Sequence, residues 1–103
     1  MGGTTISRTG KDINVLINEM KDQIAEASHI MSPDSNLILY KPSTKESKTF
    51  KVFVDPESGN VEFVEQAGDV ISQRGDGIAI EVAANFGPKP KEDEWIATVH
   101  LHT

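Results

Sequence analysis

The stretch that decides the fold is residues 13–31, which read INVLINEMKDQIAEASHIM. Apolar residues recur in it at spacings of four and three, and no later part of the chain shows that rhythm. The six residues are Ile13, Ile17, Met20, Ile24, Ala27 and Met31. Because side chains at these spacings share one side of a helix, the stretch predicts an amphipathic helix with a single apolar seam.

The seam is too short for a free-standing coiled coil. It spans about two and a half heptads, whereas a coiled coil is recognised over about three to four. We therefore predict that the seam packs on a sheet, and pairing with a second helix across a dimer is the alternative.

Both ends of the helix have sequence signals. Residues 1–9 are rich in glycine, threonine and serine, which predicts a flexible N-terminal tail. Thr9 is the candidate N-cap, and the helix is expected to run from about Gly10 to Met31. Pro33 ends it, because proline has no N–H to donate to a helical hydrogen bond.

After the helix the apolar residues alternate, as they do in half-buried strands. The predicted strands are Asn36–Lys41, Phe50–Val54, Val61–Glu65, Ile78–Ala84 and Trp95–His102. Residues 67–77 fit either one helical turn or a bent strand. The sequence thus predicts an α+β fold, with one N-terminal amphipathic helix packed on a mostly antiparallel sheet of about five strands, in a single domain of residues 10–103.

The strongest local signal after the helix is a hairpin around residues 55–60, DPESGN. Proline presets a turn, and Gly59 can adopt the positive φ that closes it. If Asp55 and Asn60 bracket the loop, apolar residues pair with each other on one side of the sheet. These pairs are Val54 with Val61 and Val52 with Phe63. The pairs on the other side are Phe53 with Glu62 and Lys51 with Val64. The register agrees with the hydrophobic pattern, as a hairpin requires.

The ten residues Val52–Val61 resemble the closing hairpin of PepSY-type propeptide domains, which also place a helix before antiparallel strands. The resemblance implies extracellular protease inhibition. The chain departs from that pattern in its two further strands and its missing signal sequence, so we do not assign it to the family.

The composition limits the cellular compartment in which the protein is expected and the kinds of chemical site that it can form. The chain has no cysteine, which excludes a disulfide, a thiolate nucleophile and a zinc–thiolate site. Residues 1–5 carry no apolar run that predicts a signal peptide, and no stretch approaches the roughly 20 apolar residues of a membrane span. We therefore expect a cytoplasmic protein without membrane contact.

Charge argues against nucleic acid as the partner. The net charge of −6 and the pI near 4.9 repel a polyanion on average. One feature favours a single strand, a basic run beside the aromatic residues Tyr40 and Phe50. Its lysines are Lys41, Lys45, Lys48 and Lys51. From Asp55 to Glu81, by contrast, seven acidic residues stand against Arg74 alone, which fits a solvated face or a surface for a basic protein.

No motif assigns a metal, a cofactor or a reaction. His100 and His102 share one face of the last strand, but the sequence supplies no third ligand for a metal site. There is no G-x-S-x-G, P-loop or dinucleotide-binding motif. We predict no metal and no cofactor, and we assign no enzymatic activity.

One helix covers one face of a small sheet, so apolar residues are expected to remain exposed on the other face. The candidates are Phe53, Val64, Ile38 or Leu39, and Ile96. We therefore predict a small acidic protein-binding module, acting as an inhibitor, an immunity or anti-defence factor, or an accessory subunit. The residues expected to bind the partner are Phe53, Glu62, Glu65, Asp69, Asp76 and Glu81.

Two other functions stay open at this stage. The first is a small-ligand or nucleotide-binding domain, with hydrolysis as an option, whose pocket lies near residues 68–77. The second is a homodimer formed through the uncovered sheet face or through the last strand.

Overall fold

A computed structural model describes residues 3–28, 32–66, 81, 85 and 89–102, without the side chains of residues 32–35. Its elements are, in chain order, β1 Gly3–Gly10, α1 Ile13–Ala27, β2 Ser32–Lys41, β3 Glu46–Val54, β4 Val61–Glu65 and β5 Trp95–His102. The five strands form one sheet in the order β1-β5-β2-β3-β4, and every neighbouring pair is antiparallel. The predicted α+β class, with an N-terminal helix and a five-stranded antiparallel sheet, is confirmed.

Residues 3–9 were expected in a flexible tail, and this is wrong because they belong to β1. The strand pairs with β5 along its whole length, from Gly3 opposite His102 to Gly10 opposite Trp95. Ile6 packs against the core. The tail's threonines are β-branched and favour a strand once a partner strand is present, which their local composition does not reveal.

β5 consequently lies inside the sheet, between β1 and β2. A strand with neighbours on both sides has no free edge to offer to a second chain. The last strand therefore lacks the free edge on which the predicted homodimer through that strand would depend.

The helix is shorter than expected at both ends. It begins at Ile13, because Gly10 still pairs in β1 and Asp12, not Thr9, is the N-cap. Asp12 Oδ1 accepts hydrogen bonds from the backbone N–H of Asn14 at 2.9 Å and of Val15 at 3.4 Å. At the other end the helix stops at Ala27, well before Met31.

The main core lies between α1 and one face of the sheet, here called the first face. Leu16, Met20 and Ile24 are the buried residues of the helix. The seam residues Ile13, Ile17 and Ala27 pack against this core but are only partly buried, and Met31 lies outside the described residues. The sheet contributes Leu37, Leu39, Phe50, Val52, Val61, Trp95, Ala97, Val99 and Leu101. The helix is therefore rotated about its axis so that Leu16, which was not one of the predicted seam residues, points into the core.

The predicted β3–β4 hairpin is confirmed in its register. Val54 lies opposite Val61, and Phe53 lies opposite Glu62. Gly59 has a φ of 76°, the left-handed conformation expected of the loop glycine. The pairing follows from short-range turn chemistry and alternation, which is why the sequence sufficed.

The opposite face of the sheet, here called the second face, is not open at its centre. Ile38 is 1% exposed and Ile96 is 0% exposed, so the expectation that they remain uncovered is wrong. Leu39, the alternative to Ile38, lies in the first-face core. Exposure this low requires atoms above the sheet as well as beside the strands. The second face keeps exposed large apolar residues at its β3–β4 side, namely Phe53 and Val64.

The strand predicted at Ile78–Ala84 is wrong at Glu81, whose backbone is helical, as is that of Asn85. The Asn85 side-chain amide donates to the Glu81 carbonyl oxygen at 2.9 Å. Short apolar runs do not separate strand from helix by periodicity, and the alanines in this run favour a helix. The other residues of that predicted strand, and residues 67–77, lie outside the described residues.

Candidate functional site

The structure brings together two of the six predicted partner-binding residues. Phe53 on β3 and Glu62 on β4 are directly opposite each other on the second face. Glu65 is exposed but lies on the first face, because side chains alternate along β4. Glu81 is exposed, and Asp69 and Asp76 lie outside the described residues.

Two further residues complete a surface around Phe53 and Glu62. Lys51 and Val64 form the next pair on the same face of the hairpin. We call Lys51, Phe53, Glu62 and Val64 the β3–β4 patch. Phe53 is 47% exposed and Val64 is 49% exposed, and as diagonal neighbours they are close enough to act together. The predicted register places all four residues on one face, although Lys51 and Val64 were not among the predicted partner-binding residues.

A cation covers part of the aromatic ring. The Lys51 ammonium nitrogen lies 5.5 Å from the centroid of the Phe53 ring. Such a contact at an exposed site contributes about 0.5–1 kcal/mol, so a partner can displace the lysine from the ring at small cost. The patch therefore offers a half-exposed aromatic ring beside the Lys51 ammonium group and the Glu62 carboxylate.

The loop at the end of the hairpin holds the patch in place. Asp55 N–H donates to the Asn60 carbonyl oxygen at 2.9 Å, and Gly59 N–H donates to the Asp55 carbonyl oxygen at 2.8 Å. The Asp55 side chain accepts from the backbone N–H of Glu57 at 2.9 Å. These bonds close a tight turn and so keep β3 and β4 in register.

The Asp55 carboxylate makes this turn sensitive to acid. The backbone N–H of Glu57, with the side chain and backbone N–H of Ser58, holds the pKa of the Asp55 carboxyl below its ordinary value. Because the pKa is lower in the folded state, ionised Asp55 stabilises the fold above the ordinary pKa of an unfolded-state aspartate, and this contribution is lost as pH falls through the folded-state pKa.

We therefore expect Asp55→Ala to lower the melting temperature more at pH 7 than at pH 2. Thermal unfolding followed by circular dichroism between pH 2 and pH 7 measures the difference. Asp55→Asn keeps an acceptor oxygen without the charge and is the matched control for the hydrogen bond. A difference between wild type and Asp55→Ala that does not change with pH would contradict the assignment.

Phe53 and Glu62 of the patch line a shallow depression. It measures about 250 Å³, and its lining includes Val54 and Asn60. Ligand pockets of proteins are larger and more enclosed, roughly 300–1,000 Å³. The depression is therefore poorly suited to a small ligand, and the pocket predicted near residues 68–77 lies outside the described residues.

The predicted basic run does not form one surface. Lys41 lies on the first face, with its ammonium 5.9 Å from the Trp95 ring centroid. Lys48 pairs with Glu65 on that same face at 3.6 Å, whereas Lys51 belongs to the second face. Lysines divided between two faces do not form the continuous groove that a single nucleic-acid strand requires.

The two C-terminal histidines lie on β5 near the start of β1. Thr5 Oγ1 lies 3.2 Å from His100 Nδ1. Among the residues that the structure describes, no three His, Cys, Asp or Glu side chains are grouped so that they could hold a metal ion.

Comparison of the chain with protein-family models, with curated proteins and with solved structures finds no match. In the described part of the chain, no helix has the length and apolar character needed to cross a membrane.

Proposed function

We propose that this protein is a protein-binding module that contacts its partner through the β3–β4 patch. The observation that carries the proposal is the pair Phe53 and Val64, each about half exposed on neighbouring strands of one face. Most single exposed apolar residues have no role, but an aromatic residue next to a second apolar residue and an acidic one has the composition of a binding anchor.

The chemistry of the patch favours a basic partner. Within the patch Lys51 balances the charge of Glu62, and Asp55 and Glu57 on the adjoining loop add negative charge beside it. The net charge of the whole chain is −6. Opposite charge on the partner would speed the encounter, and burial of the Phe53 ring would slow dissociation.

A module of this kind needs no catalytic group of its own. It would act as an inhibitor, as an immunity or anti-defence factor, or as an accessory subunit, by occupying a surface of its partner. The absence of cysteine is in keeping with a cytoplasmic role.

The test compares Phe53→Ala with Val15→Ala. Val15 is 51% exposed on α1, so it is an apolar control of equal exposure away from the patch. Each tagged protein is used to capture partners from the native host at low salt, and the dissociation constant of the purified partner is then measured. We expect Phe53→Ala to weaken binding by about tenfold or more and Val15→Ala to leave it unchanged.

A charge-matched pair provides a second arm. Glu62→Lys and Glu26→Lys change the net charge equally, but exposed Glu26 lies on α1. We expect the association rate to fall more for Glu62→Lys. If the wild-type protein captures no stoichiometric partner, or if Phe53→Ala and Val15→Ala bind equally, the proposed function is wrong.

A further inference from the structure

We propose that the partner supplies a basic, extended segment that pairs with β4 and adds a sixth strand to the sheet. This inference rests on the protein-binding function proposed above and names the chemistry of the partner. It follows from the position of β4, from its backbone hydrogen bonds and from its charges.

β4 lies at one end of the sheet. Among the described strands, its only neighbour is β3. Glu62, Val64 and Glu65 all have exposed side chains, so the strand is accessible over most of its length. An edge strand that is accessible in this way can pair with a strand from another chain.

The hairpin bonds show which backbone groups are available. Asp55 N–H bonds the Asn60 carbonyl oxygen, and Gln66 N–H bonds the Thr49 carbonyl oxygen at 2.8 Å. Hydrogen-bonded pairs alternate with non-bonded pairs in an antiparallel ladder, so Glu62 and Val64 also bond to β3. The backbone groups of the three intervening residues, Val61, Phe63 and Glu65, therefore point away from β3, toward the side of β4 on which no described strand lies.

The side chains of β4 select a basic segment. Glu62 extends from one face of the strand and Glu65 from the other, so lysines or arginines at matching positions on both faces of an added strand would pair with them. The existing pair between Glu65 and Lys48 joins two well-exposed side chains at 3.6 Å, and such a pair contributes little. Glu65 is thus free to exchange its partner.

The other edge strand and a second copy of the chain fit less well. β1 contains Arg8 and no acidic residue, and none of the exposed large apolar residues of the described chain lies on it. Pairing of two β4 strands would bring the glutamates of two chains of net charge −6 together, and like charges near each other oppose pairing.

The direct test measures amide hydrogen exchange of the full chain by NMR with a probe peptide of sequence Lys-Val-Val-Lys-Val, blocked at both ends. Paired antiparallel to β4, this peptide places its lysines opposite Glu65 and Glu62 and a valine opposite Val64. We expect millimolar peptide to slow exchange at Val61, Phe63 and Glu65 by about tenfold or more, and to leave the β1 amides unchanged. The matched peptide Glu-Val-Val-Glu-Val should have no effect.

A variant pair tests the same contact with the native partner. Glu65→Pro removes an N–H that points away from β3, whereas Glu65→Ala removes the same side chain and keeps the N–H. We expect Glu65→Pro to bind the partner about tenfold more weakly than Glu65→Ala. Exchange in the wild-type protein requires no variant, so it decides the matter if Glu65→Pro fails to fold.

The outcomes separate this inference from the proposed function. If Phe53→Ala loses the partner while Glu65→Pro and Glu65→Ala bind equally, the patch binds through side chains only, and the added strand is wrong although the function stands. If the Phe53 variant and both Glu65 variants bind the partner as tightly as the wild-type protein does, the added strand and the proposed function are both wrong. Protection of the three β4 amides without peptide, together with a dimer mass in light scattering, would identify a second copy as the occupant and overturn the basic segment.

Discussion

Replacement of Leu16 by alanine is expected to lower the free energy of unfolding by about 2–5 kcal/mol. Leu16 is 1% exposed and lies in the core between α1 and the first face of the sheet. A Cβ placed on Gly10 would lie 3.3 Å from Leu16 Cγ, so the leucine packs directly on the backbone of β1. Removal of its side chain leaves a cavity that the neighbouring backbone cannot easily fill.

Urea unfolding followed by circular dichroism measures this loss, with Val15→Ala as the matched control. Val15 is the adjacent residue and faces solvent, so its replacement should change stability by less than about 0.5 kcal/mol. Small domains are stable by only about 5–15 kcal/mol, so Leu16→Ala should shift the transition plainly. Equal losses for the two variants would mean that the helix is turned differently on the sheet.

Replacement of Ile96 by alanine should cost a similar amount, about 2–5 kcal/mol, although Ile96 faces away from α1. It is fully buried on the second face of β5, opposite Tyr40 on β2. The loss arises because the covered centre of that face would hold a cavity in place of the isoleucine side chain.

The same urea measurement applies to Ile96→Ala, and Val64→Ala is its control. Val64 lies on the same face but is half exposed, so its loss should be below about 1 kcal/mol. A loss for Ile96→Ala as small as that of Val64→Ala would mean that the centre of the second face is open to water.

Part of the candidate site could be predicted from the sequence. The turn residues of 55–60 and the alternation of β3 and β4 were enough to place Phe53 opposite Glu62, because hairpin register depends on residues close in the chain. Glu65 belongs to the same acidic run, but a run along a strand is divided between two faces, so acidity alone did not show which carboxylates share the patch.

By itself, the sequence determined that an N-terminal helix forms, though not where it begins and ends, as well as the hairpin with its register and the α+β class. Each of these rests on spacings or turn chemistry within a few residues, which act before the chain has folded. Only the tertiary structure decided that residues 3–10 form a strand, that β5 lies between β1 and β2 and that Leu16 is buried. These features depend on pairing between residues far apart in the chain, such as Gly3 with His102. A local sequence pattern does not show which distant strand will pair with a given strand, or which side of a helix will pack on the sheet.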